Sequence, residues 1–143
     1  MNDLETAKTQ LSRRQLTLAI VKNGKTLYET QFHRISGFLN AIDQQGKNLE
    51  GACVADKVVG KAVALLCVYA EVKAVYAETL SIAGKIVLEN KCIAIEWKEL
   101  VDVILDDTKQ DICPFEKEAA TVSSPEETYV RFKALQQKMR ACR

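Results

Sequence analysis

Two short runs with alternating apolar and polar positions stand near the start of the chain: QLTLAIVK (Gln15 to Lys22) and KTLYETQF (Lys25 to Phe32). Both are rich in β-branched and aromatic residues, and Asn23-Gly24 between them supplies the positive φ angles of a type I′ turn. The pattern predicts a β-hairpin. Before it, Asp3 to Arg14 carries a weak helical period and reads as a surface helix or arm. After it, RISGFLNAIDQQG reads as a short helix that stops at Gly46.

The longest apolar stretch, GACVADKVVGKAVALLCVYA (Gly51 to Ala70), opens with Asp56, Lys57 and Lys61 around Gly60. On a wheel of ~100° per residue, its valines, leucines and most of its alanines gather on one half. Cys53, Asp56, Lys57, Gly60, Lys61 and Cys67 gather on the other. The expectation is a single amphipathic helix with a small, polar second face. KAVYAETL then reads as a strand, SIAGKIVLENK as a helix and CIAIEW as a strand again. KELVDVILDD adds a helical turn or two, and DDTKQD is a polar loop. Cys113-Pro114 and Ser124-Pro125-Glu126-Glu127 each open a helix, because proline at the first helical position with acids in the first turn is a start signal. Strands separated by helices pair in parallel through crossovers. With the antiparallel hairpin this gives an α/β fold, a three-layer α-β-α sandwich around a mixed sheet of at least four strands.

Composition narrows the class. A chain of 143 residues with 48% hydrophobic and 27% charged positions fits a single globular domain, residues 1–143. Residues 1–14 form its N-terminal helix or arm and 125–143 its C-terminal helix. Lys and Arg number 20 against 19 Asp and Glu, so no overall field recruits nucleic acid or an acidic membrane. The N-terminal residues lack the apolar core of a signal peptide, and no uninterrupted apolar run reaches ~18 residues. The expected location is the cytoplasm. Five cysteines (Cys53, Cys67, Cys92, Cys113 and Cys142) include no C-x-x-C pair, which favours free thiols over a disulfide framework or zinc knuckle.

Nucleotide motifs fail on inspection. A phosphate loop needs glycine where Ala55 stands and a hydroxyl where Ala62 stands, and no G-x-G-x-x-G occurs. His33, the only histidine, lies in a predicted loop and cannot make a three-ligand zinc site by itself. No cofactor is called for. Two constellations remain. In Asp56-Lys57-x-x-Gly60-Lys61, glycine inside a helix costs about 1 kcal/mol relative to alanine, which asks for a close approach by backbone or ligand. The alternative is an ordinary capped helix start with solvated lysines. In Asp111-Ile112-Cys113-Pro114-Phe115-Glu116, a cysteine at a helix start is either an activated thiol or an inert one, with Glu116 in the first turn. Cys67 and Cys92 read as small core residues and Cys53 as a neighbour of Asp56 on the same helix face. Cys142 lies on a basic tail that reads as a surface helix with a solvated cationic face.

The hairpin, the segment GACVADKVVGKAVALL and the later CPFEKE together resemble a family of small prokaryotic proteins catalogued as a domain of unknown function, over roughly Leu16 to Ala120. That resemblance implies a cytidine deaminase-like fold. Active members of the wider fold hold zinc through a His- or Cys-Ala-Glu at the start of the central helix and a Pro-Cys-x-x-Cys at the start of the next. Here the first place holds VADK, with Asp56 near the expected acid, and the second falls near Thr79-Leu80-Ser81. The implied reading is a member without zinc that uses the same crevice. Asp56 and Cys113 are its candidate catalytic groups, and Lys57, Gly60, Lys61 and Glu116 its candidate ligand-binding groups. Its expected partner is a small anionic or nucleotide-like metabolite, with a homodimer possible. A cysteine-dependent enzyme or sulfur carrier working through Cys113 is the first alternative, since accessory sulfurtransferases of formate dehydrogenase share this fold. A structural or interaction protein using the basic C-terminal helix and the hairpin edge is the second.

Overall fold

The computed structural model describes residues 2–31, 35–105, 110–122 and 124–141. Among these, five strands form one mixed sheet: β1 (Leu18–Lys22), β2 (Lys25–Thr30), β3 (Cys53–Val59), β4 (Ala74–Ser81) and β5 (Ala94–Val101), in the order β2-β1-β3-β4-β5. β1 runs antiparallel to both β2 and β3, whereas β3, β4 and β5 are parallel. The helices are α1 (Asp3–Arg13), α2 (Ser36–Gln45), α3 (Lys61–Ala70), α4 (Ile82–Asn90), α5 (Pro114–Ala119) and α6 (Pro125–Ala141), with a 3-10 turn at Gly46–Leu49. None is long and apolar enough to cross a membrane.

The hairpin forms where Asn23 and Gly24 allow it, with φ of 52° and 75° and Lys22 paired with Lys25. The N-terminal segment is no loose arm. Asp3 in the first turn of α1 accepts both turn amides, those of Asn23 and Gly24, at 2.8 Å, and Ala7 and Leu11 are buried. Those two side chains close one face of the sheet with Leu16, Ala19, Val21 and Ala55. The opposite face carries the main core, where Leu18, Ile20 and Val54 meet Phe38 and Leu39 of α2 and Leu66 of α3. α5 and α6 pack against α3, with Phe115 and Phe132 edge to face at 5.7 Å and Tyr69 stacked on Tyr129 at 5.3 Å.

Several expectations are corrected. The segment Gly51 to Ala70 is a strand followed by a helix. Val54, Val58 and Val59 are β-branched, residues 53–56 have sheet neighbours on both sides and Val58 and Val59 pair with β4, so pairing decides the first half. Cys53 and Asp56 consequently face opposite sides of the sheet, since their separation is odd. The predicted helix at KELVDVILDD does not form: β5 continues to Val101, held by β4 as far as Ser81, and Leu105 then bridges Ile112. Cys92 is exposed at φ 58° in the turn before β5 and has no place in the core. His33, Asp106 to Lys109 of the polar loop, and Cys142 lie outside the described residues. α6 is bound more closely than a surface helix: Phe132 and Thr128 are buried, Arg131 pairs with Glu118 and Glu127, and Lys133 pairs with Asp43.

Candidate functional site

At the carboxyl end of β3 the chain must leave the sheet and turn into α3 within one residue, Gly60. Gly60 precedes the helix without any side chain to cap it, so the first amides of α3 need another acceptor. Glu116, arriving from α5, supplies it. Its two carboxylate oxygens accept the N–H of Lys61 at 2.9 Å and of Ala62 at 2.7 Å. A Cβ on residue 60 would lie 2.2 Å from Glu116 Oε1 and 2.8 Å from Ile104, so only glycine admits this approach. A second glycine completes the junction. Gly84, in the first turn of α4, lies so close to Gly60 that a Cβ there would meet the Gly60 carbonyl oxygen at 2.9 Å. Buried Ser81 caps α4 by accepting the Gly84 N–H at 3.0 Å.

Beside this junction lies a cavity of about 210 Å³. Asp56, Lys57, Gly60, Cys113 and Glu116 line it, together with Thr17, Ile35, Val58, Val63, Ile104, Leu105 and Phe115. It opens outside the carboxyl end of β3, the end of the strands at which open α/β sheets bind ligands. Five of the six residues singled out from sequence therefore share one concavity. Lys61 is not in the lining; its amide is held by Glu116, and its ammonium helps to offset the Glu116 charge. The apolar wall has no signature in the sequence, because valines and isoleucines there look like any core positions. Thr17 carries no signal at all in the sequence.

The electrostatics are uneven. Asp56 is only partly reached by solvent and is densely surrounded by protein, and burial raises its carboxyl to about 7 against the restraining N–H groups of Val58 and Lys57. The Val58 N–H donates to Asp56 Oδ1 at 3.1 Å. Burial also raises Glu116, with the Ala62 and Lys61 amides holding it down in part. The Cys67 thiol, fully buried in α3, is pushed up by burial and further by the charge of Asp56. Cys113 precedes α5, donates its N–H to the Ile104 carbonyl at 3.1 Å and is half-buried. The cavity lining thus includes Asp56, whose carboxyl changes charge near neutrality, with a lysine and a cysteine.

The zinc arrangement implied by the deaminase resemblance does not fit these residues. α3 begins Lys61-Ala62 after Gly60, and α4 begins Ile82-Ala83-Gly84 after Ser81, so neither helix start presents histidine or cysteine. VADK, expected at the helix start, lies on β3. Glu116 spends both oxygens on backbone amides. Among the described residues, no three His, Cys, Asp or Glu side chains gather as metal ligands.

No curated protein matches the chain. Among solved structures, a DUF1893 family protein from Thermotoga maritima matches with a TM-score of 0.79 and 24% identity, covering 93% of this chain and 89% of that one. The dCMP deaminase of cyanophage S-TIM5 matches at 0.48 and 17%, covering 69% and 94%. Acinetobacter baumannii RibD matches at 0.47 and 19%, covering 82% and 39%. Deaminase-like structures thus stand among the neighbours of this mixed α/β sheet. The family model described as a domain of unknown function, DUF1893, matches residues 6–139, nearly the whole chain, and the protein belongs to that family.

Proposed function

We propose that the protein binds a small anionic or nucleotide-like metabolite in the cavity at the β3–α3 junction, without zinc. One observation carries the reading: Asp56, Lys57, Gly60 and Cys113, from two separate parts of the chain, line a single concavity at the carboxyl end of a parallel strand. Lys57 meets the anion, and the Asp56 carboxyl, neutral below about 7, donates or accepts hydrogen bonds according to pH. The cavity is smaller than the ~300–1,000 Å³ of sites that enclose drug-sized ligands. It suits a base, a sugar or a phosphate group and leaves the rest of a larger ligand outside.

Thermal-shift screening with inorganic phosphate, nucleosides and nucleoside monophosphates tests this. A ligand at a hundred times its Kd stabilises by about 2.7 kcal/mol, which is several degrees in Tm. The shift should disappear in Lys57→Ala. A panel with no hit, or hits that survive both Lys57→Ala and Asp56→Asn, would remove the proposal.

A second reading has one observation in its favour: Cys113 lines the same cavity as Asp56, so a thiol and a proton-exchanging carboxyl share a compartment. If Cys113 is a nucleophile, iodoacetamide at pH 6 should label it ahead of exposed Cys92. Faster labelling of Cys92 would reject that role.

A further inference from the structure

The outer edge of β5 is long, regular and unpaired among the described residues. β5 pairs with β4 at a constant offset from Ala94 to Val101, with no bulge and no proline, and among the described residues no strand pairs with its other side. Edges of this length are normally blunted by bulges, prolines or charges, and β5 carries charges, Glu96, Lys98 and Glu99, but neither bulge nor proline. The opposite edge strand, β2, is interrupted: its pairing with β1 shifts register between Ile20 and Val21. Around β5, large apolar side chains remain in solvent, with Trp97 38%, Leu100 43% and Ile86 of the adjacent α4 51% exposed.

The faces of β5 are chemically distinct. Ile95 packs in the main core and Trp97 lies under Lys85 of α4, so odd positions face α4. Glu96 is paired with Lys8 of α1, so even positions face α1. A two-fold axis perpendicular to the sheet is the symmetry that joins two such edges in antiparallel pairing, and it keeps each face on its own side. The axis must then pass through a residue. Only centres at Trp97 or Lys98 use nearly the full strand. A centre at Lys98 sets Lys98 against the partner's Lys98, and like charges directly opposite are unfavourable. A centre at Trp97 sets Trp97 beside the partner's Trp97, Ala94 opposite the partner's Leu100, and Glu96 opposite the partner's Lys98, twice by symmetry.

We propose that the protein self-associates through β5 in the register centred on Trp97, continuing the sheet across the dimer. Charge complementarity selects this occupant: the strand's ionic sequence matches its own reverse in that register and clashes in the competing one. The exposed Ile82 and Ile86 of α4 then lie beside the new seam.

Sedimentation equilibrium and site-directed crosslinking test the proposal. Wild type should be dimeric at micromolar concentration. Lys98→Glu sets acids opposite one another and should weaken the dimer by about tenfold or more, and adding Glu96→Lys in the same chain should restore it. With Cys92 changed to serine, Trp97→Cys should form an intermolecular disulfide, since directly opposed residues lie about 4.5–5.5 Å apart. Glu99→Cys, whose opposite residue is the partner's Ile95, should not. Circular dichroism would check that each variant is folded. A monomeric wild type, a dimer indifferent to Lys98→Glu, or a crosslink at position 99 in place of 97 would each overturn the proposal.

Discussion

Asp56 occupies a place where a neutral side chain would be more comfortable, and it carries a cost that grows with pH. Its folded value of about 7 lies above the ordinary 3.8, so the folded state holds the proton more tightly than the unfolded chain. Its contribution to stability is therefore complete below about 3.8 and declines as pH rises through about 7. Asp56→Asn removes this dependence while keeping an acceptor for the Val58 N–H. In urea denaturation, the stability of the variant relative to wild type should be more favourable at pH 8 than at pH 4. An advantage that does not change with pH would show that Asp56 is not buried as described. The same titration bears on ligands: an anion held by Lys57 should bind more weakly above pH 7 in wild type and evenly across that range in Asp56→Asn. Calorimetry at pH 6 and pH 8 checks it.

Among the elements, what was legible followed from residues with one structural meaning. Asn23-Gly24 marks a tight turn, Ser124-Pro125 a helix start, and both hold: Ser124 Oγ accepts the Glu127 N–H at 3.3 Å. The β3–α3 boundary was hidden because a run of valine and alanine satisfies the period of a helix and the needs of a buried strand alike. Glycine at position 60 signals a close approach, but the sequence places it inside a helix, whereas it stands at a junction and the group that approaches is the Glu116 carboxylate. Glu116 reads from the sequence as a candidate ligand-binding group; its part as a cap is not legible there, since the amides it accepts are more than fifty residues earlier and no local pattern announces such a pairing. The junction's reliance on two glycines is testable. Gly60→Ala and Gly84→Ala should each destabilise by about 1–3 kcal/mol through overpacking. For Gly60→Ala the shorter side chain of a second change, Glu116→Ala, should recover part of the steric loss while giving up the cap, worth about 1 kcal/mol. If Gly60→Ala were neutral by itself, Glu116 would not be held against that backbone.

At the level of the molecule, the last third of the chain completes what the first two thirds begin. Phe132 of α6 is fully buried against Phe115, and Gln136 reaches Ser36 Oγ at 3.0 Å, tying α6 to α2. A basic tail in the sequence conceals this, because two of its cations, Arg131 and Lys133, are matched by acids on α2, α5 and α6 itself. Phe132→Ala should cost about 3–5 kcal/mol in chemical denaturation, a large share of the 5–15 kcal/mol typical of a domain. A loss below 1 kcal/mol would mean that α6 is not integral to the core. The remote cap has a wider consequence. Because α5 reaches the start of α3 through one carboxylate, any guest that displaces Glu116 sets free two amide hydrogens at once, those of Lys61 and Ala62. Their exchange with deuterium therefore makes a natural gauge of occupancy: slow while Glu116 stays in place, and quickened together when a guest draws it away.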